Sequence, residues 1–357
     1  MKPFFRVEML PACHGDALLV EYGTTRPRRL LIDAGPLHAF ADVNARLAQF
    51  PEDDQRVELL VVTHVDTDHI EGIIRLLAAP AAQWPVIPEE IWFNGWRHLD
   101  EQSLGGREGE FLSALIQKRA SEKWNTSFNR RAVCVERIPN DRVILEEGME
   151  LTLLSPSETT LKNLLKAWRK HAQDWEIDPG DLEAAWEQLV EENKFHPDSE
   201  LTLGSENLSL KLRKMLKGGD SSTANRSSIA FLARFADKSC IFLGDAHMKV
   251  VCASLRRLAA TSGRPLKVDA VKMSHHGSRN NITPEFIELV DAKNWLVSSN
   301  GDKFKHPDNE ALQAVIEGSR RKPILWFNYR SKFNERWEAP SKKAGAKYAT
   351  RYPAKEG

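Results

Sequence analysis

Residues 57–78, VELLVVTHVDTDHIEGIIRLLA, run from an apolar segment interrupted only by Glu58 through two histidines and two aspartates into a second apolar segment. The first segment reads as a strand buried on both faces, and the second repeats its apolar residues at helical spacing. This stretch constrains the chain strongly. The remaining fold must cover the strand on both sides and still find partners for His64, Asp66, Asp68 and His69 in the turn. Asp68 acting as a helix cap accounts for one of the four. A tight turn aiming them at one or two cations accounts for all of them, because imidazole nitrogens and carboxylate oxygens hold Zn²⁺ and similar ions at about 2.0–2.2 Å. The helix start beyond the turn adds a positive end that favours carboxylates and an anionic substrate group.

No thiolate set competes for this role. Cys13, Cys134, Cys240 and Cys252 lack CxxC spacing, which argues against both disulfides and cysteine zinc sites. Lys+Arg and Asp+Glu each number 50, so a polyanionic substrate needs a local basic patch. The N-terminus lacks a cleavable leader pattern, and no run approaches the roughly 20 apolar residues of a membrane span. A cytoplasmic protein with no membrane partner is expected.

The first third reads strand, strand, strand, helix, strand: FFRVEML, ALLVEYG, RLLIDAG, a helix from 37 to 50, then VELLVVT. Asp33 and His64 then follow the ends of strands, where open sheets carry their sites. The middle changes character. Leu161, Leu164, Leu165, Trp168 and Trp175 share one helical face, as do Leu182, Ala185, Trp186, Leu189 and Val190, with Asp178 as cap and Pro179 at the first helical position. We expect a helical insertion over 97–219, packed on the core or serving as a substrate-facing cap or partner surface. The segment KGGDSSTANRSS after it reads as a mobile loop. Strands return in SIAFLARF, SCIFLGD, VDAVKMS and NWLVSSN.

THVDTDHIEG resembles the HxHxDHxxG motif of the metallo-β-lactamase superfamily of metallohydrolases. SSIAFLARFADKSCIFLGDAH resembles its strand pair ending in Gly-Asp, and VDAVKMSHHGS its last strand and ligand histidine. The HHGS form, with HGDALLVEYG, LLIDAG, NRSSIAFL and SNGDKFKHP, is similar to the branch holding the hydrolase domain of bacterial DNA-uptake competence channels and its soluble relatives. The resemblance implies an α/β fold, an αββα four-layer sandwich with a helical insertion, in one domain over 1–357. It also implies one or two divalent ions, Zn or Mn, held by His64, Asp68, His69, Asp245 and one of His275 and His276, the second favoured. Two departures stand out: Asp66 replaces a histidine, and Asn225 and Arg226 stand where a third-motif histidine is usual. Exchanging imidazole for carboxylate favours harder ions such as Mn²⁺, or leaves that position weak or empty.

The resemblance implies water attack at the metal, with Asp68 orienting the water. Asn225, Arg226 and Ser228 are candidates for binding an anionic substrate, and His275 can face it too. Asn225 also suits a turn, and Arg226 a solvated surface. His306 is a candidate proton donor or phosphate contact, or a residue chosen to precede Pro307. Asp16 and Asp33 are expected to brace the ligand histidines. Lys272, Arg279, Lys303 and Lys305 are expected near the mouth. The leading expectation is a phosphodiesterase or nuclease acting on a phosphodiester or nucleic-acid substrate. The alternatives are an ester, lactone or small-phosphoester hydrolase, and a metal-binding regulatory protein with little turnover. The insertion is a candidate surface for a protein partner or for oligomerisation.

Overall fold

A computed structural model describes residues 2–99, 107–172, 181–191, 195 and 221–354. The first sheet has the order β1 (Phe4–Met9), β2 (Leu18–Gly23), β3 (Arg28–Ile32), β4 (Arg56–Val61) and β5 (Ile87–Trp92). Its first three strands are antiparallel neighbours, and β3, β4 and β5 run parallel. Helices α1 (Phe40–Leu47), α2 (Thr67–Ala78) and α3 (Arg107–Arg119) accompany it.

The second sheet is built from β6 (Val143–Ile144), β7 (Glu150–Ser155), β8 (Ala230–Phe235), β9 (Lys238–Phe242), β10 (Leu266–Lys272), β11 (Val290–Val297), β12 (Ile324–Phe327) and β13 (Ala349–Arg351), in spatial order from 13 down to 6. Strands β6 to β9 pair antiparallel, and β9 to β13 pair parallel. The chain's later helices include α4 (Glu158–Ala172), α5 (Leu182–Glu191), α6 (Ser221–Arg226), α7 (Met248–Ser262), α8 (Pro284–Leu289) and α9 (Asn309–Gly318), of which α5 packs with α2 and α3 of the first sheet.

Strand alternation explains the layering. Leu18, Val20, Leu30, Ile32, Leu59, Val61 and Trp92 from the first sheet meet Leu151, Leu153, Phe231, Ala233 and Phe242 from the second in one buried cluster. The intervening Leu19, Leu31, Leu60 and Ile91 point the other way, onto Val43, Ile70, Ile73 and Leu112 of α1, α2 and α3. On the far side Leu232, Ile241 and Trp295 meet Val251, Leu255, Phe286 and Leu312 of α7, α8 and α9. Helix, sheet, sheet, helix is the αββα sandwich that the resemblance implied. None of the described helices is long and apolar enough to cross a membrane.

The middle of the chain departs from the expected reading. The stretch 97–219 supplies β6 and β7, which extend the second sheet, so its described part is not purely helical. Ala185 and Leu189 of α5 are buried in the same cluster as α2 and α3, but Val190, read as part of that face, is about half exposed at 49%. The Asp181 carboxylate accepts the Ala184 N–H at 3.0 Å, and α5 begins at Leu182. Trp175, Asp178 and Pro179 lie outside the described residues. Residues 221–226, read as loop, form α6, and 217–220 lie outside. Leu164 and Leu165 of α4 pack with Trp96 and Val65, so α4 rests directly on the THVDTDH turn.

Candidate metal centre

Four strand ends feed the centre, two from each sheet. Asp33 follows β3, residues 63–69 follow β4, Asp245 follows β9, and His275 and His276 follow β10. These are carboxyl ends of neighbouring parallel strands, where side chains gather beyond the last ladder hydrogen bond. Backbone contacts fix the turns against one another: Ile229 N–H donates to the Thr63 carbonyl at 2.9 Å, and His275 N–H to that of Gly244 at 3.0 Å. Two glycines allow the close approach. A Cβ on Gly72 would lie 2.1 Å from the Ala34 oxygen, and one on Gly15 only 1.9 Å from that of Asp68. The motif glycine is therefore a packing requirement between α2 and the segment after β3.

Asp245 occupies the middle. Its Oδ1 is 3.4 Å from His69 Nε2 and 3.9 Å from His276 Nε2; its Oδ2 is 3.8 Å from both His64 Nε2 and His275 Nε2. His276 Nε2 also stands 3.4 Å from Asp68 Oδ2, and His64 Nε2 3.5 Å from Asp66 Oδ2. Ligand atoms of His64, His69 and Asp245, and those of Asp68, His69 and His276, form two groups compact enough for an ion. Asp66 sits at the N-cap position of α2 without a side-chain capping bond, and Asp68 lies inside the first turn, so capping does not account for the cluster.

The opposite edge of each imidazole is held. His69 Nδ1 is 2.8 Å from Asp33 Oδ2, and His276 Nδ1 is 3.0 Å from the Ser298 carbonyl and 3.3 Å from Asp16 Oδ1. Thr63 Oγ1 donates to Asp33 at 2.7 Å, so at 3.0 Å from His64 Nδ1 it accepts that ring's N–H. The Nε2 lone pairs of His64, His69 and His276 are thus turned inward, and all three atoms are buried without a hydrogen bond, as is Asp245 Oδ1. Buried polar atoms seldom lack partners. A cation is what such a set of converging lone pairs fits.

Charge says the same. Burial alone would raise the carboxyl groups of Asp16, Asp68 and Asp245, yet Lys272 and His276 hold Asp16, and the imidazoles around them hold Asp68 and Asp245, below the ordinary range. Burial likewise disfavours a charged His276, but Asp16 and Asp245 outweigh it and hold the group up to about 9. The pocket therefore favours positive charge.

The other expected residues separate into three groups. Asn225 is buried with its amide nitrogen 3.4 Å from His275 Nδ1, and the ring of His306 is 5.4 Å from that of His275, its Nδ1 3.3 Å from Asp308. Arg226, Lys303 and Lys305 are exposed, and Arg279 pairs with Glu310 at 3.2 Å. Ser228 and Lys272 correct the expectation. Ser228 is fully buried and its Oγ accepts the Asp245 N–H at 3.1 Å, so it faces the metal turn instead of a substrate. Lys272 is fully buried and donates to Asp16 at 2.6 Å and to the Met273 carbonyl at 3.0 Å, away from any mouth. Sequence reasoning passed over Thr63, Ser298 and Asn281, whose amide donates to the Asp245 carbonyl at 3.2 Å. Only Thr63 carried a signal, as the residue before the motif histidine.

Neither a protein-family model nor a curated protein matches the sequence. Among solved structures the chain is similar to a point mutant of the CmlA β-hydroxylase, at 9% identity and a TM-score of 0.37, over 97% of this chain and 52% of that one. It is similar at 11% identity and a TM-score of 0.37 to CmlA, a diiron β-hydroxylase from Streptomyces venezuelae, over 89% of this chain and 48% of the other. This chain spans about half the length of those two proteins. A metallo-β-lactamase with a HARLDQ motif from Cronobacter sakazakii is similar at 14% identity and a TM-score of 0.29, over 76% of each chain.

Proposed function

We propose that this chain is a metal-dependent hydrolase acting on a phosphodiester. One observation carries the reading: the buried, unbonded Nε2 atoms of His64, His69 and His276 converge on Asp245. His64, Asp68, His69, Asp245 and His276 would hold the ion, with Asp33 and Asp16 fixing the orientation of His69 and His276. A bound divalent ion lowers the pKa of water from 15.7 to about 7 and polarises the oxygen under attack. The residues around it do the rest. Asp68, kept ionised among imidazoles, would orient the attacking water and take up its proton. His306, largely buried beside His275 and with a pKa that burial lowers, would return one to the leaving oxygen.

The substrate class is supported by a second region. Arg226, Lys249 and Arg257 line a cavity of about 540 Å³ together with His247 (two residues beyond Asp245), the hydroxyls of Ser157 and Thr160, and one carboxylate, Glu136. Three cations against one carboxylate in such a hollow suit a phosphate better than a neutral ester. In the same reading the described residues belong to one unit, because β6 and β7 continue the second sheet.

The test is purified protein with Mn²⁺ or Zn²⁺ offered a bis-aryl phosphodiester, a plasmid and an aryl acetate. Metal-dependent cleavage of the first or second is expected. Cleavage of the acetate alone would transfer the assignment to esters, and bound metal with no turnover of any would favour a regulatory protein.

A further inference from the structure

A chain of even charge balance can hold a polyanion only on a local basic patch, and its last 38 residues carry one. Residues 320–357 contain eleven Lys and Arg against three Asp and Glu, which leaves 39 against 47 in the rest of the chain. The same stretch holds seven aromatic residues, three of the chain's four tyrosines among them. The fold brings part of it to the carboxyl end of the second sheet, the end that carries the metal centre. Residues 328–337 follow β12, and residues 298–308 follow the parallel neighbour β11. The two loops are pressed together: a Cβ on Gly301, φ 82°, would collide with the Phe333 ring, and Trp337 Nε1 donates to Asn309 Oδ1 at 3.2 Å.

Three cations then lie over the rings that follow them in the sequence. Lys303 Nζ is 4.6 Å from the centre of Phe304, Lys332 Nζ 5.2 Å from that of Phe333, and the Arg336 guanidinium 5.9 Å from that of Trp337. All three cations are exposed, and among the described residues none of them forms an ion pair. The acidic groups of the same loops are mostly engaged: Glu338 pairs with Arg330 and Lys342, Asp302 accepts from the Asn300 amide at 2.8 Å, and Asp308 lies 3.3 Å from His306. Glu335 is the remaining one. Phe304 is 39% exposed, one of five large apolar side chains left in the open among the described residues. Its ring lies 6.3 Å from that of His306, which is 5.4 Å from that of His275, so the strip starts at the edge of the metal centre.

We propose that the three exposed cation–aromatic pairs, Lys303 with Phe304, Lys332 with Phe333 and Arg336 with Trp337, form a track along which a single-stranded nucleic acid runs into the metal centre. The proposal rests on reading that centre as a phosphodiesterase, and it names the polymer that supplies the phosphodiester. A cation beside a ring, repeated, matches the repeat of phosphate and base in a nucleotide chain. An acidic polypeptide would use the cations and leave Phe304 idle. A duplex hides the faces of its bases, so it would lose the stacking that the exposed ring offers.

The test is fluorescence anisotropy of the full chain with a labelled 20-nucleotide oligo(dT), in EDTA so that no cleavage intervenes, over a range of salt concentrations. The strand should bind more tightly than its duplex with oligo(dA). Phe304→Ala should weaken strand binding at least about fivefold and leave the salt dependence unchanged, as loss of a stacked base does. The double variant Lys332→Ala, Arg336→Ala should instead flatten the log–log salt slope by about 1.4, two phosphate contacts' worth. All three positions are at the surface, where these changes leave the core intact. Equal or tighter duplex binding, an unaffected Phe304→Ala, or competition by polyglutamate as strong as by unlabelled strand would overturn the track. Cleavage of a bis-aryl phosphodiester without strand binding would overturn the track and leave the hydrolase standing. Strand binding with no metal-dependent cleavage of any phosphodiester would support the track and sink the hydrolase reading.

Discussion

The Lys272 ammonium donates to the Asp16 carboxylate at 2.6 Å with both side chains sealed from solvent, although 256 residues separate them. This pair ties the end of β10 to the loop before β2. The same carboxylate reaches His276, so the lysine acts on the centre through Asp16. Removing one partner of a buried pair leaves an uncompensated charge. Lys272→Met should therefore lose about 3–5 kcal/mol of stability in urea unfolding. An effect below about 1 kcal/mol would mean that the pair is not buried in solution.

Ligand changes should divide by position. Asp68→Ala and His69→Ala are expected to abolish bound metal and phosphodiester cleavage together, because each removes a donor beside Asp245. Asp66→His should keep or raise the metal content. Full occupancy by elemental analysis in an Asp68/His69 double variant would refute the assignment.

Gly15→Ala is a backbone test of the same site. The added Cβ would meet the Asp68 carbonyl at 1.9 Å, which the surrounding packing leaves little room to relieve. The turn carrying Asp68 must shift, so metal affinity should fall by at least about tenfold, the loss that misplaced supporting groups produce. Isothermal titration with Mn²⁺ reads it directly, and unchanged affinity would show that the loop accommodates.

A pH effect is expected from a histidine outside the candidate centre. His98 is buried against Trp124, 4.6 Å between ring centroids, and burial, then Arg97, lowers its pKa to about 3. The unfolded chain takes up that proton near pH 6.5, the folded one only near 3. Stability from this group is therefore complete above 6.5 and drains as pH falls toward 3, by at most about 1.4 kcal/mol per unit. His98→Phe should flatten the melting temperature across that window, and an unchanged slope would locate the acid sensitivity elsewhere.

Much of the centre is legible in the sequence because its residues sit in turns directly after buried strands, where periodicity locates them. THVDTDH, the Gly-Asp after β9 and the HHGS after β10 are all of this kind. What periodicity cannot supply is direction. His275 and His276 differ only in which oxygen each faces, a matter of two backbone torsions. Lys272 reads as a surface cation because nothing local announces Asp16, and Ser228 reads as substrate-facing because its partner is a backbone N–H in the turn after β9. Strands β6 and β7 were hidden for a different reason: RVILEEGMELTLLS alternates, but its charged turn resembles the polar helices around it.

The division of donors between the two sheets has a kinetic meaning. His64, Asp68 and His69 belong to the first sheet's turns, and Asp245, His275 and His276 to the second's, so neither half alone presents a complete set. Capture of a cation should then act as a clock for the docking of the halves. During refolding, tight Mn²⁺ uptake should appear together with the sealing of Trp92 between the sheets, never ahead of it.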